Sequence, residues 1–307
     1  MFNGYISVNF TVGFGNNLFQ YVFARLLAEK NNFILLSPDI PELGISKTES
    51  TTISRGNYGE KLASPEKSLG MRKVTINDRN AYAFFNEKLM PAHYIISGYF
   101  EDYRFYKNHL EKIRSWFPQV EKTNSEDVIL HMRLQNRLIQ KGHHKHHITP
   151  QAFIDGLSNF NYKKIHIITD SKKWEHYDEK DILELRKQVS QGPGSHSEWV
   201  DIDRSLYYMN SLVGAFAKYN PIVHCAGDTI PKSGALADNF MKDFNFIRSF
   251  NNIMIFNSTF SWWAALLSDA ENVGTYGPWK ANKTKNLGQT TFPGWFSWGS
   301  KEDLYWR

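Results

Sequence analysis

The sequence predicts an α/β protein of two Rossmann-like domains, and three observations carry that prediction. Short apolar strands alternate with helical stretches through both halves of the chain. The first such strand is followed by a glycine turn, a mostly apolar helix and a second strand, a β-α-β unit that marks a parallel sheet. Polar and charged residues follow the strands directly, where open parallel sheets bind their ligands.

Composition agrees. The chain has 307 residues, 41% hydrophobic and 22% charged, enough for one large or two medium domains. The net charge is +5, without a long Lys/Arg run, which fits an anionic ligand better than a nucleic-acid track. Cys225 is the single cysteine, so no disulfide forms within the chain, and a reducing, cytoplasmic setting is expected. No apolar run approaches the ~20 residues of a membrane helix. Peripheral association is then the membrane contact left open.

In the first half, Tyr5–Phe10 alternates as a strand and Gly13 to Asn17 form a glycine loop. A helix is expected from Leu18 to Lys30 and a strand over Phe33–Leu36. Residues 41–75 read as polar and irregular. His93–Ser97 is a strand, and a helix is expected from Tyr103 to Trp116, stopped by Pro118. Lys122–Asp127 reads as a linker, which puts the domains at 1–124 and 125–307.

After the linker the pattern restarts. Strands are expected at Val128–Arg133, Ile165–Thr169, Ile222–Cys225, Ile253–Phe256 and Val273–Tyr276. Helices are expected from Thr149 to Leu157, Asp181 to Val189, Met209 to Lys218, Leu236 to Phe250 and Trp262 to Leu267. Gln191 to Ser197 is a Gly/Pro/Ser loop.

The groups beyond the strands are suited to a charged ligand. Gly13-Phe14-Gly15-Asn16-Asn17 follows the first strand, His131-Met132-Arg133 follows Val128–Leu130, and Thr169-Asp170-Ser171 follows Ile165–Ile168. Asn257-Ser258-Thr259-Phe260-Ser261 follows Ile253–Phe256 and leads into a helix. A helix start offers unpaired N–H groups and a positive dipole end, which Ser can cap or a phosphate can occupy. Arg133 keeps its charge and forks onto phosphate oxygens.

Other motifs carry less. The glycine loop lacks the third glycine of a dinucleotide fingerprint, since Leu18 stands there. Asp201-Ile202-Asp203 is a D-x-D, read as a loop and helix cap in preference to a metal site. His143 to His147 read as a solvated loop interrupted by Lys145. Trp279, Trp295 and Trp298 are assigned to packing. Glu101, Asp102, Asp170 and Asp228 are the carboxylates available as a general base, and their spacing singles out none.

Four segments together resemble one family. GFGNNLFQYVFARLLAEK is similar to the G-G-L-G-N-Q-x-F-Q-Y-A-x-x-x-x-L-A opening of the family 11 glycosyltransferases, the α-1,2-fucosyltransferases. SGYFEDYRFYKNH resembles that family's G-Y-F-Q-x-x-x-Y-F segment. LHMRLQNR stands where the family has H-x-R-R-x-D, and NSTFSWWAALL matches N-S-T-F-S-W-W-A-A-x-L. Their order and spacing agree along the chain.

The resemblance implies a GT-B fold, with an acceptor-side domain before a donor domain and a cleft between them. It implies inverting transfer of L-fucose from GDP-β-L-fucose to a glycan hydroxyl, α-1,2 onto galactose, with no essential metal or other cofactor. Arg133 and His131 take the catalytic positions. Gly13, Gly15, Asn16, Asn17, Arg133, Asp170, Ser171, Ser258, Thr259, Phe260 and Ser261 take the donor-binding ones. Tyr99, Glu101 and Asp102 are placed on the acceptor side. Leu134 replaces the motif's second arginine, Gln135 its common glycine and Asn136 its aspartate, while Arg137 offers a charge one residue on. Those departures keep two alternatives open: a GT-B enzyme using another nucleotide sugar, and a non-catalytic glycan-binding relative.

Overall fold

The computed structural model describes residues 4–11, 13–45, 70–141, 147–190, 198–225, 238–277, 290–303 and 305. They form two compact units, one within Met1–Gln119 and Lys280–Pro293, the other within Val120–Trp279 and Gly294–Arg307. The first unit therefore takes in a late segment that the 1–124 and 125–307 division gave to the second.

In the first unit, four strands form an all-parallel sheet in the order β2-β1-β4-β3. These are β1 (Tyr5–Val8), β2 (Ile34–Leu36), β3 (Lys73–Ile76) and β4 (His93–Ile96). The helix α1 (Phe14–Asn31) joins β1 to β2 and starts earlier than the expected Leu18, so Gly15 to Asn17 form its first turn. Most of α1's circumference is buried, including Phe19, Phe23 and Leu27, which is why its apolar residues keep to no single face. Gln20 is 1% exposed and is satisfied at both ends. It accepts from the Thr11 N–H and donates to the Gly98 carbonyl, tying the turn after β1 to the turn after β4.

The short helix α2 (Ala81–Asn86) follows β3. Where one helix was expected over Tyr103–Trp116, the chain makes two single 3-10 turns and then α3 (Leu110–Ser115). The Asp102 side chain accepts the Arg104 N–H at the start of the first turn, a local bond that competes with regular helix.

The second unit holds a six-stranded parallel sheet in the order β10-β9-β8-β5-β6-β7. Its strands are β5 (Asn124–Met132), β6 (Ile165–Thr169), β7 (Ile222–Cys225), β8 (Phe250–Ile255), β9 (Asn272–Tyr276) and β10 (Phe296–Trp298). Counted from β5, this is the Rossmann strand order, with its switch point between β5 and β8. The expected linker at 122–127 is in part the start of β5, whose pairing with β8 shifts register between Asn124 and Val128.

The helices of the second unit are α4 (Gln135–Ile139), α5 (Pro150–Leu157), α6 (Glu179–Ser190), α7 (Ile202–Ala217), α8 (Asp238–Arg248) and α9 (Thr259–Leu267). The expected Leu236–Phe250 helix stops at Arg248 because Phe250 opens β8. Trp262 and Trp263 are fully buried in α9, and Trp298 packs against Phe153, Phe256 and Tyr276. The α/β class and two Rossmann-like domains are thus present.

Candidate functional site

The switch point of the second sheet organises one cluster. His131 pairs with Ile255 across β5 and β8, so the two strands end side by side. Beyond β8, Asn257 takes a φ of +38°, a left-handed turn that Asn tolerates, and Ser258 becomes the N-cap of α9. Thr149 and Asp201 cap α5 and α7 with their side chains. Ser258 does not cap α9, and its Oγ is buried without a hydrogen-bond partner. Ser261 is fully buried and donates to the Ser258 carbonyl.

Beyond β5 the chain places two arginines with opposite fates. Arg133 is 44% exposed at its side chain, with its Nε 3.9 Å from Asp170 Oδ2. Arg137 turns inward from α4. Its Nη2 donates to the Asn257 carbonyl and its guanidinium lies 5.8 Å from the Phe256 ring. Its Nη1 is buried without a partner. Burial, reinforced by the charge of Arg133, lowers its pKa to about 9. No carboxylate forms an ion pair with Arg137 among the described residues. Buried Arg248 donates to Asn245 Oδ1 and to the Leu267 carbonyl at the end of α9, where the helix dipole is negative.

His131 sits beside these groups, its ring 5.9 Å from that of Phe260. Burial, then the charges of Arg133 and Arg137, push its pKa down to about 3, so it is neutral at physiological pH. Its Nδ1 is buried without a partner. Three orphaned polar atoms, from His131, Arg137 and Ser258, thus gather around one strand switch. Buried polar groups are normally paired, so these three atoms are open to a ligand or to solvent.

The remaining second-unit candidates are engaged in the fold. Asp170 Oδ1 accepts from the N–H groups of Leu134 and Gln135, at 2.6 and 3.0 Å, and so shapes the start of α4. Ser171 is 1% exposed, with its Oγ on the Tyr177 hydroxyl and the Lys173 carbonyl. Thr259 and Phe260 begin α9. Leu134 is buried, so the position of the family's second arginine is apolar here. Arg137 is the cation that enters instead. His147 Nε2 lies 2.7 Å from the Arg137 carbonyl oxygen and its ring stacks on Tyr208 at 4.0 Å, which fixes α4 from behind. The sequence predicts His147 in a solvated loop, whereas it is 2% exposed.

In the first unit, Gly13 (φ +92°) is the N-cap of α1 and has no side chain with which to cap it. Asn17 leaves its Oδ1 buried without a partner. The turn after β4 is held by Asp78, which lies beyond β3 and accepts from the N–H groups of Tyr99 and Phe100, the latter at 2.7 Å. A Cβ on Gly98 would come within 2.9 Å of Asp78, so glycine permits this approach. Tyr99 is 41% exposed. Asp102 accepts from Tyr82 Oη and from the fork of Arg104, and its pKa is held below the ordinary value by those bonds against the burial that raises it. Glu101 differs. Burial, then the charge of Asp78, push its carboxyl up to about 8. No local pattern marked Asp78, which lies between the irregular stretch 41–75 and the strand expected at His93–Ser97.

The D-x-D does what a helix cap does. Asp201 accepts the Asp203 N–H at the start of α7. Both line a cavity of about 700 Å³ with Lys141, Arg186, Glu198 and Trp199, whose mixed charges set it apart from the cationic strand switch. No group of three or more His, Cys, Asp or Glu in a metal-ligating arrangement occurs among the described residues. His143 to His146, Asp228 and Trp279 lie outside the described residues, as does the side chain of Asn136.

No protein-family model and no curated protein matches the chain, so the likeness to family 11 rests on the four segments quoted above. Solved structures are similar at 12% identity. One is an Arabidopsis thaliana FUT1 mutant in complex with GDP, with 91% of this chain and 71% of that one covered and a TM-score of 0.45. Another is the dodecameric iron-containing heptosyltransferase TibC in complex with ADP-D-beta-D-heptose, with 100% and 70% covered and a TM-score of 0.40.

Proposed function

We propose that the second unit binds the diphosphate of a nucleotide sugar and that the protein is a glycosyltransferase. The observation that carries this is Arg137, a half-buried cation whose Nη1 is buried with no hydrogen-bond partner among the described residues, at the switch point of a Rossmann sheet. The charge of Asp170 offsets only in part what burial and the charge of Arg133 cost the guanidinium, and an anionic ligand removes the rest. Ser258 and the start of α9 add hydrogen-bond donors where a phosphate binds well.

Within that reading, the donor is GDP-β-L-fucose and the reaction an inverting transfer to a glycan hydroxyl, α-1,2 onto galactose. The family 11 segments support this finer assignment. The acceptor hydroxyl attacks the anomeric carbon opposite the leaving GDP, and negative charge grows on the diphosphate. Arg137 holds that charge from below, while half-exposed Arg133 is placed to close on it from solvent. Neutral His131 serves as a hydrogen-bonding group, not as an acid or base near pH 7. Asp170 positions the start of α4. Two guanidiniums supply the positive charge, so no metal is required in this scheme. No helix among the described residues is long and apolar enough to cross a membrane. The cytoplasm is the proposed setting, on the single cysteine.

A thermal-shift panel tests the donor. GDP and GDP-fucose at 100 times Kd stabilise by about 2.7 kcal/mol. UDP- and dTDP-sugars give no shift. Stabilisation by a UDP-sugar without response to GDP rejects fucose and selects another nucleotide sugar. GDP binding with no transfer to any glycan selects the non-catalytic relative.

A further inference from the structure

Within the second unit, three side chains form a hydrogen-bonded row across β5, β6 and β7. His166 Nε2 donates to Asp127 Oδ2 at 3.2 Å, and His166 Nδ1 lies 3.0 Å from His224 Nε2. The two imidazole planes are within 5° of parallel, which lets one ring donate in its own plane to the lone pair of the other. The row starts from a fixed acceptor. Asp127 Oδ1 takes the Lys164 N–H at 3.1 Å, and the Asp127 carbonyl takes Asn252 Nδ2. The row ends on β7, the edge strand of the sheet, which has a strand on one side only. The contact between the histidines therefore adds a side-chain link where the backbone ladder has just one partner.

A neutral imidazole has one N–H and one lone pair, and an imidazolium has an N–H at both nitrogens. Asp127 accepts, so a proton stays on His166 Nε2. Between the rings, one nitrogen must carry the N–H and the other the lone pair. That condition holds when the pair is neutral and when it has bound one proton. After a second proton, N–H faces N–H and two cations meet. We propose that His166 and His224 form a pH-operated latch on the edge strand β7, closed while the pair holds at most one added proton and opened by the second. Opening frees β7 from β6, whose last residue, Thr169, pairs with Cys225 and precedes Asp170. The latch does not depend on the glycosyltransferase reading.

The surroundings give the latch its sign. Phe246 of α8 packs against both rings, and Phe250 of β8 packs against His166. The titratable and charged groups here are Asp127 from β5, the two histidines from β6 and β7, and Lys122 before β5, whose Nζ donates to the Phe250 carbonyl. On α8, Asp243 and Arg248 are shifted by burial alone, with no part played by either histidine. Burial, then the charge of His166, lower the pKa of His224. The folded chain thus resists a proton that unfolded histidine takes near 6.5. The hold on β7 is complete above about pH 6.5 and is lost as pH falls below it.

The test is hydrogen–deuterium exchange of the β7 and β8 amides of the full chain, corrected for intrinsic rates, at pH 7.5 and 4.5. The strand β8 lies inside the same sheet and reports the acid response of the unit as a whole, His131 included. Expected is a fall of about tenfold in the protection of β7 relative to β8, within the limit of tenfold per pH unit that one proton sets. His224→Gln, whose amide can donate to His166 or accept from it but takes up no proton, should show no relative change. Imidazole 15N spectra of the wild type should show one N–H between the rings at pH 7.5 and both rings doubly protonated at pH 4.5. Equal relative protection of wild-type β7 at the two pH values overturns the latch, and so does the same loss in His224→Gln. Spectra with both rings doubly protonated while β7 stays protected also overturn it. The two wild-type measurements decide the matter even where the variant fails to fold.

Discussion

The Arg137 guanidinium donates to the carbonyl oxygen of Asn257, joining the helix after β5 to the turn after β8. These strands flank the switch point of the sheet, so one half-buried side chain spans the place where a Rossmann unit holds its ligand. The same bond leaves Nη1 facing the interior without a partner.

Ser258 occupies a cap position without acting as a cap. Ser258→Ala should therefore cost less than the ~1 kcal/mol typical of a lost N-cap. If Ser258 Oγ meets the ligand, GDP affinity falls roughly tenfold, the ~1.4 kcal/mol of one hydrogen bond. Urea unfolding and calorimetric titration measure the two. A loss of a full cap's stability with unchanged affinity contradicts the assignment.

Asp170 holds the start of α4 with one oxygen. Asp170→Ala leaves two backbone N–H groups without that acceptor and costs about 1–3 kcal/mol. Asp170→Asn keeps an oxygen there and costs less. Equal unfolding midpoints for the wild type and Asp170→Ala would show that the bonds contribute nothing.

His131 gives a stability signature with a defined sign. It stays neutral in the folded chain until about pH 3, whereas unfolded histidine protonates near 6.5. The unfolded chain therefore binds the extra proton as pH falls below 6.5, and stability falls with it, by at most about 1.4 kcal/mol per pH unit from this group. His131→Asn should flatten stability between pH 6 and 4 relative to wild type. Parallel curves would place the His131 pKa at its ordinary value.

Arg133 meets solvent, so its removal should leave stability within about 0.5 kcal/mol. Transfer in Arg133→Ala should drop about 100-fold or more, the scale of losing one contact to a developing anion. Activity should survive EDTA. Normal turnover by Arg133→Ala removes it from the machinery, and loss of activity with chelator calls for a metal.

Much of the second unit was legible because its strands are buried and continuous. Ile165–Thr169 and Ile222–Cys225 have the expected bounds, Arg133, Asp170 and Ser258 follow their strands, and His131 lies within the end of β5. What was not legible depends on partners distant in sequence. The strand β3 is a four-residue edge strand, half exposed, that exists through its pairing with β4. The polar start of β5 is a strand because Asn124 pairs with Phe250. Asp170 looked like a donor ligand, since nothing local tells a carboxylate that binds backbone N–H groups from one that awaits a substrate. Glu101 and Asp102 are neighbours in sequence with opposite environments, set by Asp78, Tyr82 and Arg104. Arg137 was visible as a charge, but its inward course depends on Asn257.

The central claim is that Arg137 waits for an anion, and replacing it by an apolar residue of similar length tests that most directly. Thermal unfolding of wild type and Arg137→Met, each with and without saturating GDP, is the measurement. The account predicts that Arg137→Met is at least as stable as the unliganded wild type, because a cation whose charged form burial disfavours is gone. It also predicts that GDP, which stabilises the wild type, no longer shifts the variant. A variant less stable without ligand that still gains the full shift from GDP would contradict it.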